Sequence, residues 1–444
     1  MAGRGGSHRS FMPSFYRYPE QTKSTTQKII GASGAAAPTT TLPPLIRFSA
    51  RHRGRLVMLI GVRTVGVEEE LLVVDPSGRP VPLGPAALEV AARRGEGETV
   101  EEHDRAERED GDTREVDDPA ARLVPELKAQ QLEFGTRVCT GLEDVAADLR
   151  HWRERADAAA RGVGARVAAL ASSPLRVEPR TTPGERYTQM ADTFGLTAAE
   201  QLTCGCHVHV AVEDDEEGVA VLNRIRVWLP VLTALTANSP FWLGRDSGHA
   251  SYRAQAWNRW PSSGPSELFA DAAAYHRLVQ ELLATETIVD TGMVYFDARL
   301  SERWPTVEVR VADVALRAED AVTLAGLARG LVDTAAGEWR AGVPAPAVRS
   351  EVVRMAAWRA SRSGLTEDLV HPATGRPAPA AEVVTALLEH VRPALAAAGD
   401  EQRVADGVAA VLDRGTGADL QRRVFAETGD LTAVVRAAVE ATHS

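Results

Sequence analysis

Apolar and polar positions alternate along three short stretches of this chain, and in each the polar positions carry ionisable groups. They are Gly66-Val67-Glu68-Glu69-Glu70 running into Leu71-Leu72-Val73-Val74, Cys206-His207-Val208-His209-Val210, and Val307-Glu308-Val309-Arg310-Val311. A fourth, Leu132-Glu133-Phe134-Gly135, sets a single carboxylate in similar surroundings. A period of two predicts strands, so Glu68 with Glu70, His207 with His209, and Glu308 with Arg310 each share a face. Many of the flanking Val and Leu residues point the other way, into a core. A sheet apolar on one face and lined with carboxylates, imidazoles and a guanidinium on the other is not built for packing alone. It predicts a concave, anionic site for divalent cations, of the kind that serves phosphate chemistry.

Around these strands the pattern changes to helical spacing. Folded structure is expected to begin near Ile60, with a strand over 71–75 and a turn at Ser77-Gly78. Residues 142–170 carry Ala, Leu and Val at helical spacing with Arg and Glu on the other face. A strand over 202–212 is followed by an apolar helix over 219–237, ended by Asn238-Ser239-Pro240. Residues 241–264, dense in Trp, Arg, Ser and Gly, predict an ordered functional loop. A helix over 271–286 precedes strands over 294–299 and 306–311. Beyond Ala318 the chain reads as helical, with breaks at Pro344-Ala345-Pro346 and across 372–379. Strands and helices mix without regular alternation, which predicts an α+β fold rather than a doubly wound sheet.

The first 57 residues differ from the rest. They are rich in Gly, Ser, Thr and Pro, hold one acidic residue, Glu20, and show no sustained periodicity. We read them as a disordered extension, or as the result of a start codon placed ahead of a true start near Met58. The rest, 58–444, reads as one catalytic domain with a helical C-terminal part. The acidic stretch 96–118 reads as a solvated, mobile insertion.

Composition narrows the chemistry. A net charge of −11 over 444 residues disfavours nucleic acid or a membrane surface as partner. No apolar run approaches a membrane-spanning length. Three cysteines make no disulfide framework, so a reducing cytoplasm is the expected compartment. The lysines are Lys23, Lys28 and Lys128, and no phosphate-loop or kinase motif contains any of them. If a nucleotide is handled here, metal ions and arginines must neutralise its charge.

Each constellation has a plainer reading beside it. Glu68 and Glu70 could lie on a solvated edge, but their strand is among the most apolar in the chain, and burying two carboxylates requires cations. Cys204 and Cys206 fall on the face opposite His207 and His209, which argues against a four-ligand zinc site and makes the cysteines core residues. The histidines could ligate a metal or contact a phosphate, His207 more strongly. Glu126 is a weak signal alone; Glu133 gains weight from Leu132, Phe134 and Gly135. Glu308 and Arg310 could be a cross-strand ion pair, yet Asp313, Asp297 and Arg299 crowd the same region. Arg245, Arg253 and Arg259 lie among Trp242, Tyr252, Trp257 and Trp260. That mixture could bind single-stranded nucleic acid, but the acidic total favours a small anionic substrate.

Taken together, the motifs are similar to the glutamate–cysteine ligase superfamily, in particular the bacterial carboxylate–amine ligases called glutamate–cysteine ligase type 2. The resemblance runs from residue 64 to about residue 336. Its marks are Gly66 to Glu70, Pro125-Glu126-Leu127 with Leu132-Glu133, Gly205 to Val210, Ala237 to Trp242, Gly248 with Tyr252-Arg253, Arg259-Trp260-Pro261, Asp297-Ala298-Arg299, and Val307 to Arg310 with Asp313-Val314. It implies a curved, mainly antiparallel sheet forming a funnel with helices outside, a glutamine synthetase/guanido kinase-like fold. It implies ATP and Mg²⁺, small amino-acid and amine substrates, an acyl phosphate, and a homodimer. Carried over by motif, Glu68, Glu70, Glu133, Glu308 and His207 would hold metal. His207, His209 and Glu126 would face the ATP phosphates. Arg253, Arg310 and Arg299 would contact the substrate carboxylate or the transferring phosphoryl group. The same face would also suit a metal-dependent hydrolase, or a nucleotide-binding relative without turnover.

The extension has too little apolar surface to offset its ordering entropy. A chain shortened to begin at Met58 is expected to keep its solubility and melting temperature. A large drop in melting temperature would show that the extension packs onto the domain.

Overall fold

The computed structural model of the chain describes residues 61–109 and 122–444. The expected start near Ile60 and Met58, the extension, and residues 110–118 of the acidic stretch lie outside them. The strands, in chain order, are β1 (Val65–Val74), β2 (Leu123–Val124), β3 (Gln131–Gly135), β4 (Arg166–Ala168), β5 (Gly205–Ala211), β6 (Phe241–Trp242), β7 (Arg245–Asp246), β8 (Ala298–Leu300), β9 (Thr306–Asp313), β10 (Asp368–His371) and β11 (Arg376–Pro379). One sheet runs β2-β3-β1-β5-β9-β8, and β4 adds to the far end of β1. Every pairing in it is antiparallel. The fold is α+β, as the pattern predicts.

Alternation sorts the sheet into two faces. Val65, Val67, Leu71 and Val73 of β1, Cys206, Val208 and Val210 of β5, and Val307 and Val309 of β9 are buried in the main core. Against that face pack the helices Leu142–Arg161 and Ala318–Arg340. Cys204 and Cys206 are buried free thiols within this core, in keeping with the sequence reading.

Several element boundaries depart from the pattern. The helix expected over 142–170 stops at Arg161, and the chain then enters β4. Gly164 turns the chain at φ +77°, and an Ala/Val/Leu run suits a buried strand as well as a helix. The helix expected over 219–237 is two helices, Asp215–Ile225 and Leu229–Leu235, bent by 67°. Pro230 sits in the first turn of the second, where its missing N–H is tolerated, and it could not continue the first. The strand expected over 294–299 narrows to Ala298–Leu300. The break at 372–379 contains a hairpin, β10 with β11. The acidic stretch is a helix, Val100–Glu109, over part of its length. Thr99 and Glu102 cap it reciprocally, Glu102 N donating to Thr99 Oγ1 (3.2 Å) and Thr99 N to Glu102 Oε2 (2.9 Å).

One residue of β1 breaks the rule that the core face is apolar. Glu69 points into it, fully buried, and is gripped by Arg153 through Nε and Nη2, each at 2.7 Å. The same guanidinium donates to the carbonyls of Ala315 (2.6 Å), Leu316 (3.1 Å) and Thr442 (3.3 Å). Removing one partner strands a buried charge. Arg153→Met should therefore destabilise the protein by about 3–5 kcal/mol, read as a shift of the urea midpoint. Arg153→Met with Glu69→Leu should recover most of that loss; a double variant as unstable as the single one would mean the pair is not the cause.

Candidate active site

Register builds the polar face of the sheet. Across β3, β1 and β5, Gly135 faces Glu68, which faces His207; Glu133 faces Glu70. Across β5, β9 and β8, His209 faces Glu308, which faces Arg299. Between Cys206 and Val208 the β9 partner jumps from Ala312 to Val309, so β9 carries an extra residue there. Such a bulge re-aims a side chain, and Arg310 lies in it.

The two imidazoles are held against carboxylates. His207 Nδ1 lies 3.3 Å from Glu68 Oε2, and its Nε2 lies 4.0 Å from Glu70 Oε1. His209 Nδ1 meets Thr306 Oγ1 at 3.0 Å, and its Nε2 lies 3.2 Å from Glu68 Oε1. Desolvation and the neighbouring Arg310 push His207 down from the usual imidazole value. Desolvation works the same way at His209, but Glu68 overrides it and raises that ring. Desolvation opposes ionisation of Glu68, yet His209 and His207 hold its carboxyl well below the ordinary range.

Toward β3 the balance reverses. Glu70 accepts from Gly205 N at 2.9 Å and from Gln131 Nε2 at 3.4 Å, but desolvation and Glu126 still raise it. Glu133 is pushed well above the carboxylate range by desolvation and by Glu126, Glu68 and Glu70. Four carboxylates thus converge where the protein supplies too few cations.

This donor set fits a hard divalent cation. Ligand atoms of Glu68, His209 and Glu308 lie within 4.8 Å of one another, as do those of Glu68, Glu133 and His207. Nε2 of each histidine is buried and makes no aligned hydrogen bond among the described residues. Carboxylate oxygens with one imidazole nitrogen suit Mg²⁺ or Mn²⁺ rather than a soft ion.

A sequence profile described as glutamate–cysteine ligase family 2 matches residues 64–437, most of the chain. The chain belongs to this family. It is 52% identical over 385 residues to a Streptomyces coelicolor protein provisionally named glutamate–cysteine ligase 2, covering 86% of this chain and all of that one. A Paenarthrobacter aurescens protein provisionally named glutamate–cysteine ligase 2-1 is 49% identical over 386 residues, covering 87% of this chain and 96% of the relative. Among solved structures, glutamate–cysteine ligase of Francisella tularensis, in complex with AMP, superposes with a TM-score of 0.55 at 12% identity, over 86% of this chain and 89% of that one. The bifunctional glutathione synthetase of Pasteurella multocida gives 0.59 at 14% identity, over 86% of this chain and 52% of that one. These distant likenesses carry the fold; the profile and the close relatives carry membership in a family of ligases.

Of the site residues read from sequence, the structure brings Glu68, Glu70, Glu126, Glu133, His207, His209, Glu308, Arg299 and Arg310 to one face of the sheet. Glu308 is more heavily paired than a free ligand: Arg299 Nε donates to it at 2.7 Å and Arg310 Nη1 also binds it. Arg299 spends its remaining Nη1 on the carbonyls of Gly292 (2.8 Å) and Val294 (3.1 Å), so within the protein it positions Glu308. Arg253 comes from the helix Tyr252–Trp257, inside the segment expected to be a loop. It is 2% exposed, and its side-chain hydrogen bonding among the described residues is one long contact, from Nη2 to Arg310 O at 3.4 Å. A Cβ at position 205 would fall on this guanidinium, so any larger residue there would displace Arg253.

The sequence marked Asp313 as part of a polar cluster but assigned it no role. It accepts from Asn238 N (2.8 Å), Ser239 Oγ (2.7 Å) and Ser251 Oγ (2.8 Å), and Ser239 Oγ in turn accepts from Arg253 N at 2.9 Å. Asp313 thereby fixes where the Arg253 helix starts. The hydroxyls flanking Asn238 and Arg253 were the available signal.

The crowding at Glu133 makes a pH-dependent prediction. A raised carboxyl means that the folded state binds the extra proton, so stability falls as pH rises above the ordinary carboxylate range. In EDTA, Glu133→Gln should melt above wild type, by a margin that widens from about pH 5 to about pH 8. Mg²⁺ should raise the melting temperature of wild type by more than that of the variant, which keeps the Glu68, His209 and Glu308 cluster. A margin that shrinks with pH, or equal stabilisation of both proteins by Mg²⁺, would remove Glu133 from the cation cluster.

Proposed function

We propose that this chain is an ATP-dependent carboxylate–amine ligase, joining glutamate or a similar amino acid to an amine through an acyl phosphate. The observation that carries this reading is the charge layout of one sheet face. A cation-deficient carboxylate and imidazole cluster (Glu68, Glu70, Glu126, Glu133, His207, His209) lies beside two buried arginines, Arg253 and Arg310, whose Nε atoms lack partners among the described residues. Family membership supports the same reaction class.

In this reading an oxygen of the substrate carboxylate attacks the γ-phosphorus of ATP. The bond to the bridging oxygen breaks, and ADP leaves with the electron pair. The amine nitrogen then attacks the acyl carbon, phosphate departs, and the nitrogen loses a proton. Glu68, Glu70, Glu133, Glu308 and His207 would hold Mg²⁺, which would supply positive charge against that of the transferring group. His207 and His209, with Glu126, would face the phosphates. Arg253 and Arg310 would grip a substrate carboxylate or the phosphoryl oxygens, supplying the fixed positive charge that lysine provides elsewhere. Lys128 donates to Thr181 Oγ1 at 3.0 Å, and desolvation lowers its amine to about 8. No protein nucleophile is required, so catalysis rests on positioning and electrostatics. We assign the ligase domain to 58–444, and the buried free thiols support a reducing compartment.

The test is ADP release across pairs of amino acids and amines with Mg²⁺ and ATP. ADP should form only when both a carboxylate and an amine are present. Glu68→Gln should lower that rate by about 10²-fold or more while the protein stays folded. Metal-dependent hydrolysis without ATP would replace this reading with a hydrolase, and ATP binding without ADP would replace it with a relative that has lost turnover.

A further inference from the structure

A second feature adjoins the carboxylate cluster without belonging to it. Arg253 and Arg310 form one wall of a cavity of about 40 Å³, whose other walls include Arg354, Asp297, Trp257 and Tyr295. That volume admits about three waters, the bulk of a small ionic head group. Arg253 and Arg310 are 2% and 8% exposed, and the Nε of each is buried without a hydrogen-bond partner among the described residues. Their guanidinia stand 5.6 Å from the Trp257 ring centre and 5.9 Å from that of Tyr295, which fixes both planes. Arg310 spends Nη1 on Glu308, but each guanidinium keeps a buried donor unused, and in a cavity of this size such a pair calls for a planar anion that accepts from both.

The far wall carries both signs of charge. Arg354 reaches in from the helix Ser350–Ser363, and Gly264 makes room for it: a Cβ there would lie 2.8 Å from Arg354 Nη1, and φ is +109°. Asp297 faces Arg310 across the sheet, its backbone oxygen accepting from Arg310 N at 3.0 Å. Its side chain makes no hydrogen bond among the described residues. Desolvation raises its carboxyl to about 6 despite Arg354 and Arg226 nearby, the mark of a carboxylate short of a contact cation.

We infer that this cavity holds an α-amino-acid head group, with its carboxylate on the guanidinia of Arg253, Arg310 and Arg354 and its ammonium on Asp297. The inference rests on the ligase reading for the identity of the reaction and goes beyond it by making Arg354 and Asp297 the residues that select an amino acid over a simple amine or acid. Both substrates of such a ligase can present this head group, the carboxylate donor at its non-reacting end and the acceptor at its amine end. If the acceptor sits here, the attacking amine and Asp297 are in contact, and Asp297 can take its proton. If the donor sits here, Asp297 only orients.

Arg354→Ala changes a surface helix and should fold; Asp297→Asn keeps shape. In ADP-release assays, L-glutamate is compared with 4-aminobutyrate, which lacks the α-carboxylate, and L-cysteine with cysteamine. For one of the two pairs the decarboxylated compound should raise KM on wild type by about tenfold or more. Arg354→Ala should raise the KM of the intact amino acid to match, with the KM for ATP unchanged. The pair that responds identifies the occupant. If both variants keep wild-type KM for glutamate and for cysteine, the inference is overturned. Calorimetric titration of the same four compounds, with Mg²⁺ and a non-hydrolysable ATP analogue present, separates the two readings. Amino-acid binding lost in Arg354→Ala, in a protein that releases no ADP, supports the head-group site and sinks the ligase reading alone. Equal binding of each amino acid and its decarboxylated analogue sinks the head-group site.

Discussion

The buried pair of Glu69 and Arg153 is the constraint on which the sheet depends. Three consecutive glutamates in β1 must send charge to both faces, and the middle one enters an apolar core. A carboxylate there is tolerable only if a cation meets it with its remaining protons also satisfied. Arg153 does so with two bonds to Glu69 and three to carbonyls at Ala315, Leu316 and Thr442. One guanidinium therefore ties the central strand to the helix Leu142–Arg161, to the chain leaving β9, and to the end of the last helix. Fixing Glu69 from behind fixes the direction of Glu68 and Glu70 in front, since a one-residue slip would exchange the faces.

Set beside Arg153, the front-face arginines differ in how fully their donors are used. Arg153 has a partner for every nitrogen. Arg299 likewise spends its donors on Glu308 and two carbonyls. Arg253 and Arg310 are also buried but keep an Nε with no partner among the described residues, and desolvation with Glu126, Glu68 and Glu70 holds Glu133 well above the carboxylate range. Burial of an ion without full compensation is costly. The same face carries both an excess of negative charge and unused arginine donors, the layout on which the proposed ligase reading rests.

The alternation in β1, β5 and β9 was readable because a period of two on a half-buried strand leaves little freedom. Glu68, Glu70, His207, His209, Glu308 and Arg310 follow from it directly. Arg153 was not readable: it sits in a helix among other Arg and Glu residues, and only the distance between two elements makes it a core residue. The β4 strand was hidden because an Ala- and Val-rich segment serves a helix and a buried strand equally. The pairing of Arg299 with Glu308 and with two carbonyls was not readable either, because register and those partners are tertiary facts. The helix carrying Arg253 was masked by Trp, Ser and Gly, which suggest a loop, although Ser251 caps it by accepting from Ala254 N.

The helical C-terminal part supports the site more closely than its pattern suggests. Gln421, wholly buried, donates to the carbonyl of Asn238 (2.9 Å) and to its Oδ1 (2.8 Å). Asn238 Nδ2 donates to Ala169 O and Val314 O, both at 2.8 Å, and its backbone N–H to Asp313. Asp313 then reaches Arg253 through Ser239. A chain of buried hydrogen bonds thus runs from the helix Gly417–Thr428 to the backbone N–H of Arg253, and an unmade bond there would be expensive. A motif resemblance that fades near residue 336 misses this, because helices are recognised by spacing and not by one glutamine. The family profile extends to residue 437, and this network supplies a physical reason for the last helices to be part of the ligase fold rather than an appendage to it.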